Sequence, residues 1–269
     1  MKNQISFLLC AVILCACTAR TEVPAWAPAG EHIKTQWAEK IDPLKVHQEY
    51  PRPQMVRSPY LNLNGLWEYA VSGEDASEMP EAEGHILVPF PLESSLSGVA
   101  GSLDIEHALW YRRTFRLPKG WKNKLVLMNF GAVDWECEVW VNGTPVGEHK
   151  GGYDSFSCDI TRAIVKGEQE LVLKVKDASE EGALQPRGKQ TFSPGRGSIW
   201  YHPVSGIWQT VWAEAVSPAR IEKAKILRMQ CTLPLPQWRR KYFSSSLFCF
   251  YRQASNLLQQ NRELLKYFL

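Results

Sequence analysis

The sequence predicts an all-β sandwich over roughly residues 60–215. Short apolar runs alternate with a period of two, turn residues separate them at short intervals, and no long helical period intervenes. An α/β architecture is disfavoured on the same grounds. Leu125–Phe130 is apolar on both faces, which suits a strand buried inside a sandwich. In the next run Cys137, Val139 and Val141 share one face while Glu136, Glu138 and Trp140 share the other. Asn142-Gly143 then supplies the two positive-φ positions of a tight type I′ hairpin, and Thr144–His149 reads as a partly exposed return strand. Leu171, Leu173 and Val175 are expected to point inward, with Lys174 and Lys176 toward water. Ile207–Trp212 is rich in β-branched and aromatic residues. Turn signals at Gly120, Gly151-Gly152 and Gly167 complete the punctuation. Trp140 and Trp208 would be core anchors if their rings are buried.

The two ends do not share this pattern. Lys2 and the short apolar run Ile5–Leu14 form a targeting segment too short to span a bilayer comfortably. It ends in Leu14-Cys15-Ala16-Cys17, which resembles a bacterial lipobox with Cys17 as the lipidated residue. Residues 1–16 are therefore expected to be a lipoprotein signal peptide, with an ordinary secretory signal as the alternative. Either places the mature chain outside the cytoplasm, and a lipid anchor would attach it to a membrane facing the bacterial periplasm or in the outer membrane. Residues 17–54, proline-rich and aperiodic, read as a tether and irregular lead-in.

Residues 226–269 form an atypical tail, irregular or helical, with Pro234, Pro236, Arg239-Arg240-Lys241 and a stripe of Leu257, Leu258, Leu264, Leu265 and Phe268. Two readings are open for it: an amphipathic helix for a membrane or partner, or a stretch outside the fold, as a frameshift would produce. From Arg228 onward seven basic residues face one acid, a balance of +6. The chain's total is +3, so residues 1–227 carry −3, and no nucleic-acid footprint is present.

Besides Cys17, the cysteines of the mature chain are Cys137, Cys158, Cys231 and Cys249. Their spacing matches no disulfide framework, and buried free thiols are favoured over a Cys137–Cys158 bridge. No CxxC pair or His cluster has metal-ligand spacing, so neither a metal nor a cofactor is expected.

Four segments, in order, resemble a known family: Trp110–Leu117; Phe130–Glu136 running into Val139–Gly143; Gly151–Thr161; and Val204–Trp212. Leu63–Glu68 and Val88–Pro91 resemble the opening of the same domain. Together they make residues 55–225 similar to the N-terminal sugar-binding domain of glycoside hydrolase family 2, the β-galactosidase, β-glucuronidase and β-mannosidase group. The resemblance implies a jelly-roll, galactose-binding-like β-sandwich and a β-linked glycan as partner. It also implies that the catalytic acid/base and nucleophile are two glutamates on a separate barrel. Retaining glycosidases hold such a pair about 5 Å apart, and a barrel takes about 250 residues, whereas 42 residues follow Leu227. No catalytic residue is therefore expected here.

A local pair does not replace them. Glu136 and Glu138 lie about 7 Å apart on one strand face, where they cannot flank a bond from opposite sides, and they read as solvated surface. Asp134 and Asp154 read as turn acceptors. The best candidate for ligand contact is the long Gly/Pro-rich connection from Lys176 to Ile207, where Arg187, Gln190, Trp200, Tyr201 and His202 bring donors and aromatics together. The alternative is that these residues only pack against other domains. Glu106 and His107 fall where the family can place a sugar contact. The expected function is the carbohydrate-binding domain of a β-galactosidase-like O-glycosyl hydrolase, inactive alone; the alternatives are a stand-alone exported binding module or a non-functional gene fragment. If the lipobox reading is correct, Cys17→Ser should move the protein from the membrane fraction to the soluble fraction or block its processing, as fractionation and immunoblotting will show.

Overall fold

Asn142 (φ 50°) and Gly143 (φ 73°) close the hairpin that the sequence predicts. The computed structural model describes residues 24–31, 33–121, 124–179, 185–186, 188–190 and 200–222, together with the backbone of two strands at 224–229 and 247–252. In chain order the strands are β1 Tyr60–Asn62, β2 Gly65–Gly73, β3 Gly84–Val88, β4 His107–Arg116, β5 Leu125–Phe130, β6 Val133–Asp134 and β7 Glu136–Val141. They continue as β8 Thr144–Lys150, β9 Phe156–Asp159, β10 Glu168–Lys176, β11 Gly206–Ile207, β12 Val211–Val216, β13 Ala224–Met229 and β14 Leu247–Arg252.

Two antiparallel sheets make the sandwich. One has the order β1-β12-β5-β9 and the other β3-β2-β4-β10-β7-β8, with β11-β6 and β13-β14 as separate pairs. Period-two alternation decides which side chains meet between the sheets. Leu171, Leu173 and Val175 of β10 join Cys137, Val139 and Val141 of β7, and face Val126, Met128 and Phe130 of β5 across the core. Cys137 and Cys158 are buried free thiols in this core. Burial pushes the Cys137 thiol up to about 12 and that of Cys158 to about 11, so neither is a ready thiolate at neutral pH.

Three expectations change. Lys174 lies on the outer face of its strand but is only 8% exposed. Its Nζ lies over the Trp110 ring, 5.3 Å from the centroid, and donates to the carbonyls of Glu74 and Ala76, each at 2.6 Å. Trp140 and Trp208 are half-buried rather than core anchors. Trp140 stacks on Trp110 outside the sandwich, 5.9 Å between centroids, and the fully buried indoles are Trp67, Trp110 and Trp212. Finally, residues 247–252 of the segment expected to be irregular or helical form β14, while Ala254–Leu269, with the leucine stripe, lie outside the described residues.

The return strand β8 is an edge of the six-stranded sheet. Val139 pairs with Gly147 but Trp140 pairs with Pro145, so Val146 is an extra residue in a β-bulge.

The lead-in packs against the fold through Val46, which meets Leu66 and Leu87, through bonds from Tyr60, Asn62 and Asn64 to the carbonyls of residues 46–48, and through one buried carboxylate. Glu214 of β12 has a fully buried side chain on the outer face of the four-stranded sheet. It accepts from Tyr50 Oη (2.5 Å), Arg52 Nη2 (2.5 Å), Arg57 Nη1 (2.9 Å) and Trp212 Nε1 (2.6 Å). Burial alone would raise its pKa, but these donors outweigh burial and hold it below the usual carboxylate range. Arg52 also lies over the Trp212 ring, 5.2 Å from its centroid. Glu214→Ala should cost about 3–5 kcal/mol, because it strands partly buried arginines. It should also expose residues 41–57 to protease. Urea unfolding and limited proteolysis test this, and an unchanged midpoint with intact protection would show that the lead-in is held elsewhere.

Candidate functional site

Several stretches of chain converge at one end of the sandwich: residues 88–93, 133–135, 176–179, 185–186, 188–190 and 200–207. Backbone bonds tie them together, with Leu92 N donating to Ser205 O (3.2 Å) and Trp135 N to Lys176 O (3.4 Å). Three buried carboxyls, Glu93, Asp134 and Asp177, fill the junction. Asp177 accepts from Ser179 Oγ (2.8 Å), Gln185 Nε2 (2.7 Å) and Ser205 Oγ (2.8 Å). Ser205 N in turn donates to Glu93 Oε2 (2.9 Å). Asp134 Oδ2 accepts from Gln190 Nε2 (2.8 Å), and Gln190 Oε1 accepts from Val204 N (2.6 Å).

Burial pushes the Glu93 carboxyl up to about 7, and the charge of Asp177 adds to the rise. Asp134 also reaches about 7, through burial first and Asp177 second. Both can therefore hold a proton close to neutral pH and donate as well as accept. Glu93 Oε1 and Ser95 Oγ are buried without a hydrogen-bond partner among the described residues. Both residues line a cleft of about 400 Å³ together with Lys34, Pro91, His202 and Val204. Polar atoms without partners at the wall of a cleft are suited to a polar ligand.

Two glycines allow the close packing. A Cβ on Gly152 would overlap Asp134 Oδ1, and one on Gly206 (φ +88°) would overlap the buried Tyr111 Oη. A side chain at Gly152 would displace the Asp134 carboxyl, and one at Gly206 the Tyr111 hydroxyl and Leu109.

Residues 88–212 match the sugar-binding domain of glycosyl hydrolases family 2. These residues are thus similar to a family 2 sugar-binding domain, over slightly less than half of the chain. All four motifs quoted above fall within the matched range. The chain is 27% identical over 150 residues to a β-glucuronidase of Paenibacillus borealis, covering 53% of this chain and 25% of that protein. It is 33% identical over 120 residues to a β-galactosidase of Thermoanaerobacter pseudethanolicus, covering 44% of this chain and 15% of that protein. The chain thus spans a quarter or less of these curated relatives. A solved β-glucuronidase from Ruminococcus gnavus in complex with D-glucuronic acid shares the fold, with a TM-score of 0.51 at 21% identity over 68% of this chain and 34% of that one.

Within the matched range the sequence-predicted residues separate. Gln190 is buried and works as a clamp between Asp134 and Val204. Tyr201, 68% exposed, is held by its backbone N donating to Lys189 O (2.8 Å), and Trp200 and His202 are also exposed on this segment. Arg187 lies outside the described residues. Glu106 and His107 lie where β4 begins, at the end of its pairing with β2, where His107 Nδ1 lies 2.5 Å from Asp104 Oδ1 and Glu106 O accepts from Glu74 N. The hydrogen bond to Asp104 raises the His107 pKa.

Glu136 pairs with Lys150 at 2.9 Å, and Glu138 stands opposite Glu148 on the exposed hairpin. Asp154 is exposed, but Asp134 is a buried network member rather than a turn acceptor. Among the described residues, no group of three or more His, Cys, Asp or Glu is arranged to hold a metal ion. Glu93, Asp177, Ser205 and Tyr111 were not anticipated, since single polar residues in loops and one Tyr on a strand carry no periodic signal.

Because the folded-state values of Glu93 and Asp134 lie above those of an unfolded chain, they stabilise the fold at low pH and that contribution is lost as pH rises through about 7. The thermal midpoint should therefore fall between about pH 5 and pH 8. Glu93→Gln and Asp134→Asn should each flatten that decline in scanning calorimetry across the range. An unchanged slope in both variants would contradict the assignment.

Proposed function

We propose that this chain is the exported, lipid-anchored, glycan-binding front of a family 2 glycosidase akin to the β-glucuronidases and β-galactosidases, and that these 269 residues do not cleave glycosides alone. The family match over residues 88–212 carries this reading. The cleft beside Glu93 and His202 supports it, because unpartnered buried oxygens there suit the hydroxyls of a β-linked glycan, with Trp200 and Tyr201 offering ring faces nearby along the chain. The placement of these carboxyls among the described residues supports the inactive reading. Glu93, Asp134 and Asp177 are buried in a loop-locking network, while Glu136 and Glu138 stand on one open strand face. Neither set brackets a glycosidic bond. Export to the bacterial periplasm or outer membrane rests on Leu14–Cys17 alone.

On a glycan array the purified chain should retain β-linked glucuronosyl or galactosyl glycans. It should release no aglycone above the blank from aryl β-glucuronides, β-galactosides or β-mannosides. Hydrolysis that disappears in Glu136→Gln or Glu138→Gln would overturn the inactive reading, and absence of retention would overturn the binding one.

A further inference from the structure

A second opening lies over the outer face of the four-stranded sheet, between the lead-in at His47–Arg52 and the segment Trp208–Trp212. It measures about 430 Å³, within the range of small-ligand sites, and shares no lining residue with the Glu93–His202 cleft. Two rings form its corner. Tyr153 is 59% exposed and meets Trp208 edge to face, with centroids 5.9 Å and planes 76° apart. Trp208 Nε1 donates to Gly152 O at 2.7 Å, so the indole is oriented before any ligand arrives.

Polar groups surround this corner. Ser155 and Gln209 line the opening, and neither side chain makes a hydrogen bond among the described residues. Arg52 Nε is buried without a partner there, although its Nη2 is committed to Glu214. Glu49 adds an exposed carboxylate. A pyranose ring has matching chemistry. Its C–H face is apolar and slightly positive, which suits the negative face of an aromatic ring. Its equatorial hydroxyls need the paired donors and acceptors that an amide and a carboxylate supply.

We infer that this cleft is a second carbohydrate site, taking one pyranose unit of a β-linked glycan on Tyr153 and Trp208, with Gln209 and Glu49 contacting its hydroxyls. The inference rests on the sugar-binding reading above and adds a separate surface to it.

The test is titration of the full chain with a β-linked glucuronan oligosaccharide and, separately, a β-1,4-linked galacto-oligosaccharide. Calorimetry gives total binding, and the NMR resonance of the Trp208 indole N–H reports this cleft. The resonance should shift saturably with at least one oligosaccharide. Tyr153→Ala and Gln209→Ala, both on exposed side chains, should weaken that event at least roughly tenfold, while His202→Ala leaves it unchanged. Calorimetric binding with an unmoved Trp208 resonance and an unaffected Tyr153→Ala variant would remove this site while leaving the sugar-binding reading intact. No binding of either oligosaccharide would overturn both.

Discussion

The buried carboxylate of Glu214 is the interaction on which the architecture outside the core depends. A fully buried charge is tolerated only where hydrogen-bonded and ionic partners surround it. Here two of those partners, Tyr50 and Arg52, come from a stretch without regular secondary structure, and a third, Arg57, from its continuation toward β1. The electrostatic demand of one strand residue, together with the bonds that Tyr60, Asn62 and Asn64 make to residues 46–48, therefore fixes the path of a stretch that has little propensity of its own. That path becomes one wall of the Tyr153–Trp208 cleft. Satisfying the charge and shaping the opening are the same structural event.

The opposite problem is solved at the loop end. Glu93 and Asp134 have few donors and little solvent, so their environment favours the protonated form. Asp177 has three side-chain donors and brings Ser179, Gln185 and Ser205 to one point. The loop that sequence reasoning singled out for ligand contact is thus divided by depth. Gln190 and Ser205 face inward and determine where the segment runs, while Trp200, Tyr201 and His202 remain on the surface it presents.

Much of the sandwich was legible in the sequence because alternation is a local property. Cys137, Val139 and Val141 face inward as their spacing requires, and Asn142-Gly143 takes the turn that only such residues allow cheaply. What was not legible depends on tertiary cover. Lys174 sits at a water-facing position by period, yet the turn at residues 74–76 folds over it. Asp134 lies beside a turn in the sequence, but Gly152 and Gln190 arrive from distant stretches to bury it. Trp140 and Trp208 show the reverse, since large apolar rings need not be inside. Of the site, the sequence located the loop but not the acids beneath it, because a lone Glu or Asp in a connection has no pattern to betray its depth.

The bulged return strand of the hairpin bears on how copies of this protein would behave when crowded. An edge strand offers unpaired amides and carbonyls to any extended chain that approaches. Along β8 the amide at Pro145 is missing, Val146 puts the ladder out of step, and Glu148 and Lys150 present charge. A second molecule aligning with this margin meets a gap, then a shift in register, then hydrated ions. Continuous sheet growth from this side of the domain is thereby discouraged, a form of protection against fibre-like association that resides in the backbone rather than in the core.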